Sequence, residues 1–300
     1  MTPVSRRLRG VTVPLVTPVT ESGALDETSA ERLVDHLASN GCGMLVLGTT
    51  GEVASLSGPM RRRLVEIAVR VSGGRTPVFA CIAHNCLADA VDSARDHLRV
   101  GVDAVVAMLP NYFKLEPTEM AAYFTLLAAR TPGPVLLYNM PQTTGMSIPV
   151  ETIGRLSRMG NIVGLKDSEG APGRAEQVAS ILGGRDDFAL FMGVAAHSVL
   201  ALKLGFVGLV PSSGNLYPAL WRELYDAALA GDWARAESLQ QRFDAIGAVI
   251  QRKRSLGQSL AALKAALAGH HLCGASMMPP LSALPPEEQS LVCRELSALS

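Results

Sequence analysis

Charge of one sign, aromatic side chains and long apolar runs are all scarce in this 300-residue chain. Basic and acidic residues balance at 27 each, and aromatics make up 5%. No global field therefore draws the chain to nucleic acid or to an anionic membrane. Its five cysteines, Cys42, Cys81, Cys86, Cys273 and Cys293, are odd in number and none pair at two-residue spacing. Neither a disulfide framework nor a zinc site is suggested, and the thiols read as reduced ones in a cytoplasmic protein. Arg6, Arg7 and Arg9 precede an apolar stretch, but Pro14 and Pro18 break it and spoil a signal-peptide core. No uninterrupted run reaches membrane-spanning length. Also missing is a Gly-x-Gly-x-x-Gly after the first apolar run, which removes the usual mark of a dinucleotide fold. Small-molecule chemistry without a bound metal is the expectation that remains.

What is present is a regular alternation. Hydrophobic residues make up 48% of the chain, enough for a sizeable core. Short β-rich runs at 11–15, 44–47, 78–82, 104–108, 135–138, 162–166, 188–192 and 207–210 are separated by helical patterns such as 27–39, 61–71, 88–100 and 119–129. Eight strands with seven or eight helices over about 200 residues match an α/β fold of the (β/α)8 TIM-barrel type. An open, doubly wound sheet is the rival, since strand count alone does not prove closure. Beyond the eighth run the pattern turns to helices only, at 218–230, 233–251, 255–268 and 286–299. We expect a barrel over 1–217 and a C-terminal helical region over 218–300, packed on it as one structural unit.

The chain is organised around Val163-Gly164-Leu165-Lys166-Asp167-Ser168. An apolar run delivers Lys166 to the carboxyl end of a strand, where active sites of alternating folds lie. Such a lysine is either a snorkelling surface amine beside the carboxylate of Asp167, or a desolvated nucleophile that attacks a ketone to form a Schiff base. Three other strand ends bear on the choice. Gly48-Thr49-Thr50-Gly51-Glu52 follows the second run, a tight turn whose hydroxyls and N–H groups suit a carboxylate; it is equally an ordinary turn that caps the next helix. Tyr138-Asn139-Met140-Pro141 ends the fifth run with a phenol able to move protons beside an imine, or one that merely packs. Tyr112 offers a second phenol after the fourth run. His84 is a substrate contact or a packing histidine, and His270-His271 has no partner at ligand spacing.

Taken together, Gly48-Thr49-Thr50-Gly51-Glu52, Tyr138-Asn139-x-Pro141 and Leu165-Lys166-Asp167-Ser168, in that order, resemble the dihydrodipicolinate synthase / N-acetylneuraminate lyase family of class I aldolases. The resemblance runs from about Gly10 to Pro280, with smaller echoes at Gly193, Gly214-Asn215, Lys264 and Met278-Pro279-Pro280-Leu281. It implies a homotetramer, a dimer of dimers, in which Lys166 forms an imine with pyruvate or another 2-oxo acid and no separate cofactor is used. By the same resemblance Tyr138 relays protons, Thr49 and Thr50 hold the carboxylate, Thr49 and Tyr112 extend the relay, and Gly193 and the backbone at Val210 line the pocket. In many members the tyrosine matching Tyr112 comes from a neighbouring subunit.

The sequence also departs from that family's synthases. They carry an arginine two residues after the Tyr-Asn-x-Pro proline, where it clamps the second substrate's carboxylate; here the residue is Thr143, which cannot act as a planar charged donor. Ser57-Gly58-Pro59-Met60 and Asn111 replace residues of the feedback site, so no inhibition by lysine is expected. Gln142-Thr143-Thr144-Gly145 is closer to the polar loops of members that split hydroxylated 2-oxo acids. Thr143, Thr144, Ser168 and Ser212-Ser213 are candidate hydroxyls for that substrate. The expected activity is thus a Schiff-base lyase joining or cleaving a 2-oxo acid and an aldehyde, of the 2-keto-3-deoxy-sugar-acid or 4-hydroxy-2-oxo-acid type. Condensation of pyruvate with aspartate semialdehyde is the first alternative, a dehydratase the second, and a non-catalytic 2-oxo-acid-binding barrel the alternative of another class.

Overall fold

A computed structural model describes residues 7–299. Arg6 of the basic amino-terminal run and Ser300 lie outside the described residues. Eight strands pair in sequence order into a closed barrel: β1 Gly10–Pro14, β2 Gly43–Val46, β3 Val78–Ile82, β4 Ala104–Met108, β5 Val135–Asn139, β6 Ile162–Asp167, β7 Ala189–Met192 and β8 Gly208–Leu209. The ladders from β3 through β8 and from β8 to β1 are parallel. Nearly every strand residue is buried, as parallel strands covered on both faces require. Closure decides against the doubly wound alternative, and the TIM-barrel expectation stands.

The helices between strands are α1 Glu27–Ser39, α2 Gly58–Ser72, α3 Leu87–Val100, α4 Pro117–Arg130, α5 Pro141–Thr144, α6 Val150–Leu156, α7 Arg174–Leu182 and α8 Ser198–Lys203. The C-terminal region consists of α9 Pro218–Leu229, α10 Trp233–Gln251, α11 Leu256–Gly269 and α12 Pro286–Ser297. Helix α2 begins earlier than its apolar periodicity indicates, because Ser57 accepts a hydrogen bond from the N–H of Met60 and Pro59 occupies the first turn. β8 is shorter than the apolar run that marks it. Pro211 follows closely and donates no hydrogen bond, although Val207 and Val210 still reach β7 through the carbonyls of Leu190 and Met192.

The chain forms two compact units that cut across the change from alternation to helices. One takes the chain up to Thr12 together with Pro77–Val210. Within it Phe79 and Phe191 meet edge to face at 5.9 Å. The other comprises Val13–Thr76 and the residues from Pro211 on. Here Trp221 of α9 stacks on Phe243 of α10 at 3.8 Å and donates its indole N–H to Ser213, an arrangement worth about 0.5–1.5 kcal/mol beyond its buried area. In the same unit buried Asn215 accepts from the N–H of Val16 and donates to the carbonyls of Pro14 and Ser212.

Candidate active site

β5 and β6 run side by side in a register that sets Tyr138 opposite Lys166 and Asn139 opposite Asp167. Because side chains alternate along a strand, the first pair occupies one face and the second pair the other. Lys166 is 5% exposed and Tyr138 2%, with the lysine Nζ 3.9 Å from the centre of the phenol ring. The geometry is that of a cation–π contact in a desolvated place. It excludes the snorkelling surface amine, which would keep its head in water.

The other face shows why Asp167 is not the lysine's counter-ion. Its carboxylate accepts from Arg174 Nε at 2.9 Å, from Asn139 Nδ2 at 3.0 Å and from the backbone N–H of Glu169 at 2.9 Å. Burial pushes the Asp167 carboxyl up, while the Arg174 guanidinium, the Glu169 N–H and the Asn139 amide pull it down. Arg174, itself buried in the first turn of α7, also donates to the carbonyl of Ile148. Asn139 closes the network: it donates a second bond to Glu169, which also accepts from Ser147, and it accepts from the N–H of Ile148. Two adjacent strand ends are thereby locked together one residue beyond the lysine and the tyrosine. Asn139, Glu169 and Arg174 went unnoticed as site residues in the sequence, although Asn139 and Asp167 each directly follow a residue that was singled out.

Gly193 stands just past β7, where its N–H donates to the carbonyl of Asp167 at 2.7 Å. A Cβ there would fall 2.0 Å from the hydroxyl of Ser168 and 3.0 Å from the carbonyl of Asp167, so any side chain would push this strand end apart. Val210, buried beyond β8, donates to the carbonyl of Met192 at 2.7 Å. The candidate hydroxyls divide. Thr144 is spent on the carbonyls of Met140 and Met146, and Ser213 takes the Trp221 N–H, whereas half-buried Thr143 makes a long 3.3 Å bond to Met140. Thr143 and Thr144 lie on the short helix α5 and not on a loop, and the ammonium of Lys114 sits over its end, donating to the carbonyl of Thr144 at 3.0 Å.

Tyr112 is not brought into the buried pair of its own chain. It is 78% exposed beside the equally open Phe113, edge to face at 5.0 Å, with its backbone N–H held by the side chain of Asn85. His84 contacts Ser93 of α3 at 2.8 Å, in keeping with a packing role. Among the described residues no cluster of three metal-ligating side chains occurs, and no helix is long and apolar enough to cross a membrane.

In the unit that contains β2, the Gly48–Glu52 turn is bracketed by two non-glycine residues in left-handed conformation, Leu47 at φ 60° and Glu52 at φ 56°. Thr50 is buried and Thr49 half-buried. The carbonyl of Gly51 accepts from the Thr17 hydroxyl at 2.6 Å, and the Glu52 side chain turns inward to Lys264 and to the N–H of Met278.

A closed parallel barrel with a buried lysine against a phenol at neighbouring strand ends is the framework of a barrel lyase. The match to known proteins makes the assignment definite. A family model described as the dihydrodipicolinate synthetase family matches residues 7–299, and the chain belongs to that family of enzymes. A 4-hydroxy-tetrahydrodipicolinate synthase of Shewanella piezotolerans is 33% identical over 244 residues, 80% of this chain and 83% of the relative. One from Halorhodospira halophila is 34% identical over 239 residues, 78% and 79% of the two chains. Among solved structures, the dihydrodipicolinate synthase of Bacteroides thetaiotaomicron superposes with a TM-score of 0.92 at 31% identity, covering 97% of this chain and 98% of the other. That of Aquifex aeolicus gives 0.90 at 27% identity, covering 97% of each.

Proposed function

We propose that this lyase joins or cleaves a C–C bond between pyruvate, or a related 2-oxo acid, and an aldehyde, through an imine on Lys166. The observation that carries the reading is the buried Lys166 amine lying 3.9 Å from the Tyr138 ring at the ends of paired strands. The amine adds to the C2 ketone and forms the N–C bond, and the carbonyl oxygen leaves as water. The resulting cationic imine draws electrons from C3, which gives up a proton to form an enamine and then attacks the aldehyde carbon; hydrolysis of the imine returns the lysine. Tyr138 moves protons to and from the departing oxygen and the aldehyde oxygen. In this reading Thr49 and Thr50 are the donors for the 2-oxo acid's carboxylate, and Gly193 and the backbone of Val210 are substrate contacts. The imine is itself the electron sink, so the scheme needs neither metal nor organic cofactor.

For the aldehyde, the uncharged Thr143 favours a hydroxylated partner, as in 2-keto-3-deoxy-sugar-acid or 4-hydroxy-2-oxo-acid aldolases. A second reading, 4-hydroxy-tetrahydrodipicolinate synthase acting on aspartate semialdehyde, is favoured by the names of the relatives and by Lys114, whose ammonium lies over the end of α5. We place the enzyme in the cytoplasm as a homotetramer; the exposed Tyr112 and Phe113 support self-association that carries Tyr112 to a neighbouring copy.

Borohydride reduction in the presence of pyruvate, followed by peptide mapping, tests the core of the reading. The expected result is a stable adduct on Lys166, absent in Lys166→Ala. Folded enzyme that gives no adduct with saturating pyruvate or other 2-oxo acids rejects the imine in favour of a binding barrel. With the adduct in hand, turnover of aspartate semialdehyde against glyceraldehyde or glyoxylate separates the two partner readings.

A further inference from the structure

One buried ionic group takes no part in the chemistry above: Glu52, the last residue of the Gly48–Glu52 turn, and Lys264 of α11. We propose that this pair is a positioning device through which the C-terminal helical region holds Thr49 and Thr50 in the conformation that receives the 2-oxo acid's carboxylate. The proposal rests on the reading of that turn as the carboxylate cradle and adds what sets its affinity.

Four observations carry it. The two side chains are almost fully buried, at 1% exposure for Lys264 and 0% for Glu52, and are paired to each other. Each is also bonded to the segment after α11: Lys264 Nζ donates to the carbonyl of Ser276 at 2.8 Å, and Glu52 Oε2 accepts from the N–H of Met278 at 2.8 Å. The turn itself is under backbone strain, with Leu47 and Glu52 both in the left-handed region that β-carbon sterics disfavour. Finally, the turn is closely packed, since a Cβ on Gly51 would lie 3.0 Å from the carbonyl of Leu15 and 3.3 Å from the N–H nitrogen of Leu47.

These facts divide the work within the turn. Its own backbone bonds, from Gly51 and Val53 to the carbonyl of Gly48 and from Glu52 to that of Thr49, shape the loop but do not aim it. Aim comes from outside, through Thr17 on Gly51 and through the Glu52 carboxylate seated against Lys264 and Met278. A buried ion pair is a poor source of stability compared with apolar packing of the same volume, yet breaking it by removing one partner is strongly unfavourable. At the end of a strained turn it ties one conformation to one partner. Released, the turn relaxes toward ordinary backbone angles, and the hydroxyls and N–H groups of Thr49 and Thr50 lose their common target. Lys264 is accordingly a positioning residue that acts through Glu52.

The test uses the full chain and pyruvate, with three variants: Lys264→Met, Glu52→Gln and the two combined. Half-saturation for pyruvate is read from borohydride trapping and from steady-state kinetics. Each single variant is expected to raise it about 10-fold or more, with the KM for the aldehyde unchanged within about 2-fold. The double variant, which leaves neither partner buried and unpaired, is expected to return to within about 5-fold of wild type. Should Lys264→Met fail to fold, Glu52→Gln carries the test, since its amide oxygen still accepts from Met278. Single variants that melt earlier but keep wild-type half-saturation overturn the positioning role alone. Wild-type enzyme that traps no 2-oxo acid overturns the cradle reading and the proposal with it.

Discussion

The two regions that carry the candidate residues are held in opposite ways. Lys166 and Tyr138 stand on regular strands, and what fixes them is local: the β5–β6 register, then Asn139 and Asp167 one residue further on, then Arg174 on the next helix. Thr49 and Thr50 stand on a strained turn, and what fixes them comes from far along the chain, at Lys264 and Met278. A strand delivers a side chain with its direction already set by the ladder. A turn delivers donors in a compact cluster but needs an anchor to aim them. The proposed nucleophile thus sits on the part that tolerates least displacement, and the proposed carboxylate cradle on the part whose geometry is set from a distance.

Breaking the strand half should have the largest effect. Lys166→Ala should abolish borohydride-trappable pyruvate and lower turnover on the order of 10⁴-fold or more. Asp167→Ala leaves the buried Arg174 guanidinium with only the longer 3.6 Å contact to Glu169 and should cost about 2–3 kcal/mol of stability, measured by urea unfolding; a loss below about 1 kcal/mol would show that the network does not lock the strand ends. Tyr138→Phe should keep the fold and the imine but slow its formation about 10²-fold to 10³-fold, seen in the rate of trapping and not in its final extent.

Outside the paired strands the effects are smaller and sharper. Thr143→Arg tests the helix end beneath Lys114: if the neutral threonine sets the partner, the variant should gain about 10-fold in kcat/KM for aspartate semialdehyde over glyceraldehyde, in line with one charge-assisted contact. Smallest of all is a thiol signal. Burial pushes the Cys273 thiol up to about 11 and that of Cys42 up to about 12, so at neutral pH both should stay silent to a thiol reagent while the exposed Cys86 reacts. Cys273 lies in the electrostatic reach of Lys264 and Glu52. The Lys264 ammonium pulls the thiol down and the Glu52 carboxylate pushes it up, so reactivity should rise in Glu52→Gln and not in Lys264→Met or Asp167→Ala, which would separate disturbance of the turn from disturbance of the strands.

The same contrast explains what could be read from sequence. Eight apolar runs gave the strand count because burial on both faces leaves a continuous hydrophobic trace, and Lys166 and Tyr138 stood out because each ends such a run. The support behind them was partly visible, since Asn139 and Asp167 are their neighbours, but Arg174 lies beyond the strand in a helix whose first turn carries no pattern pointing back. The partners of Glu52 were beyond reach: a contact spanning 226 positions, as that to Met278 does, leaves no periodic mark. Helix α5 leaves no trace in the sequence, because four residues are too few for a helical period to show. The exposure of Tyr112 was not legible either, since position at a strand end does not say whether a side chain turns in or out.

Asn215 bears on the order in which this molecule is completed. The ring meets itself at a short ladder, where β8 offers two residues to β1, Gly208 to Gly10 and Leu209 to Val11. Separately, the amide of Asn215 reaches Val16 across 199 positions of chain and clasps Pro14 and Ser212 as well. During synthesis the first strand therefore waits unclasped while nearly three quarters of the polypeptide is made, and its free edge depends on whatever shields it until residue 215 has emerged.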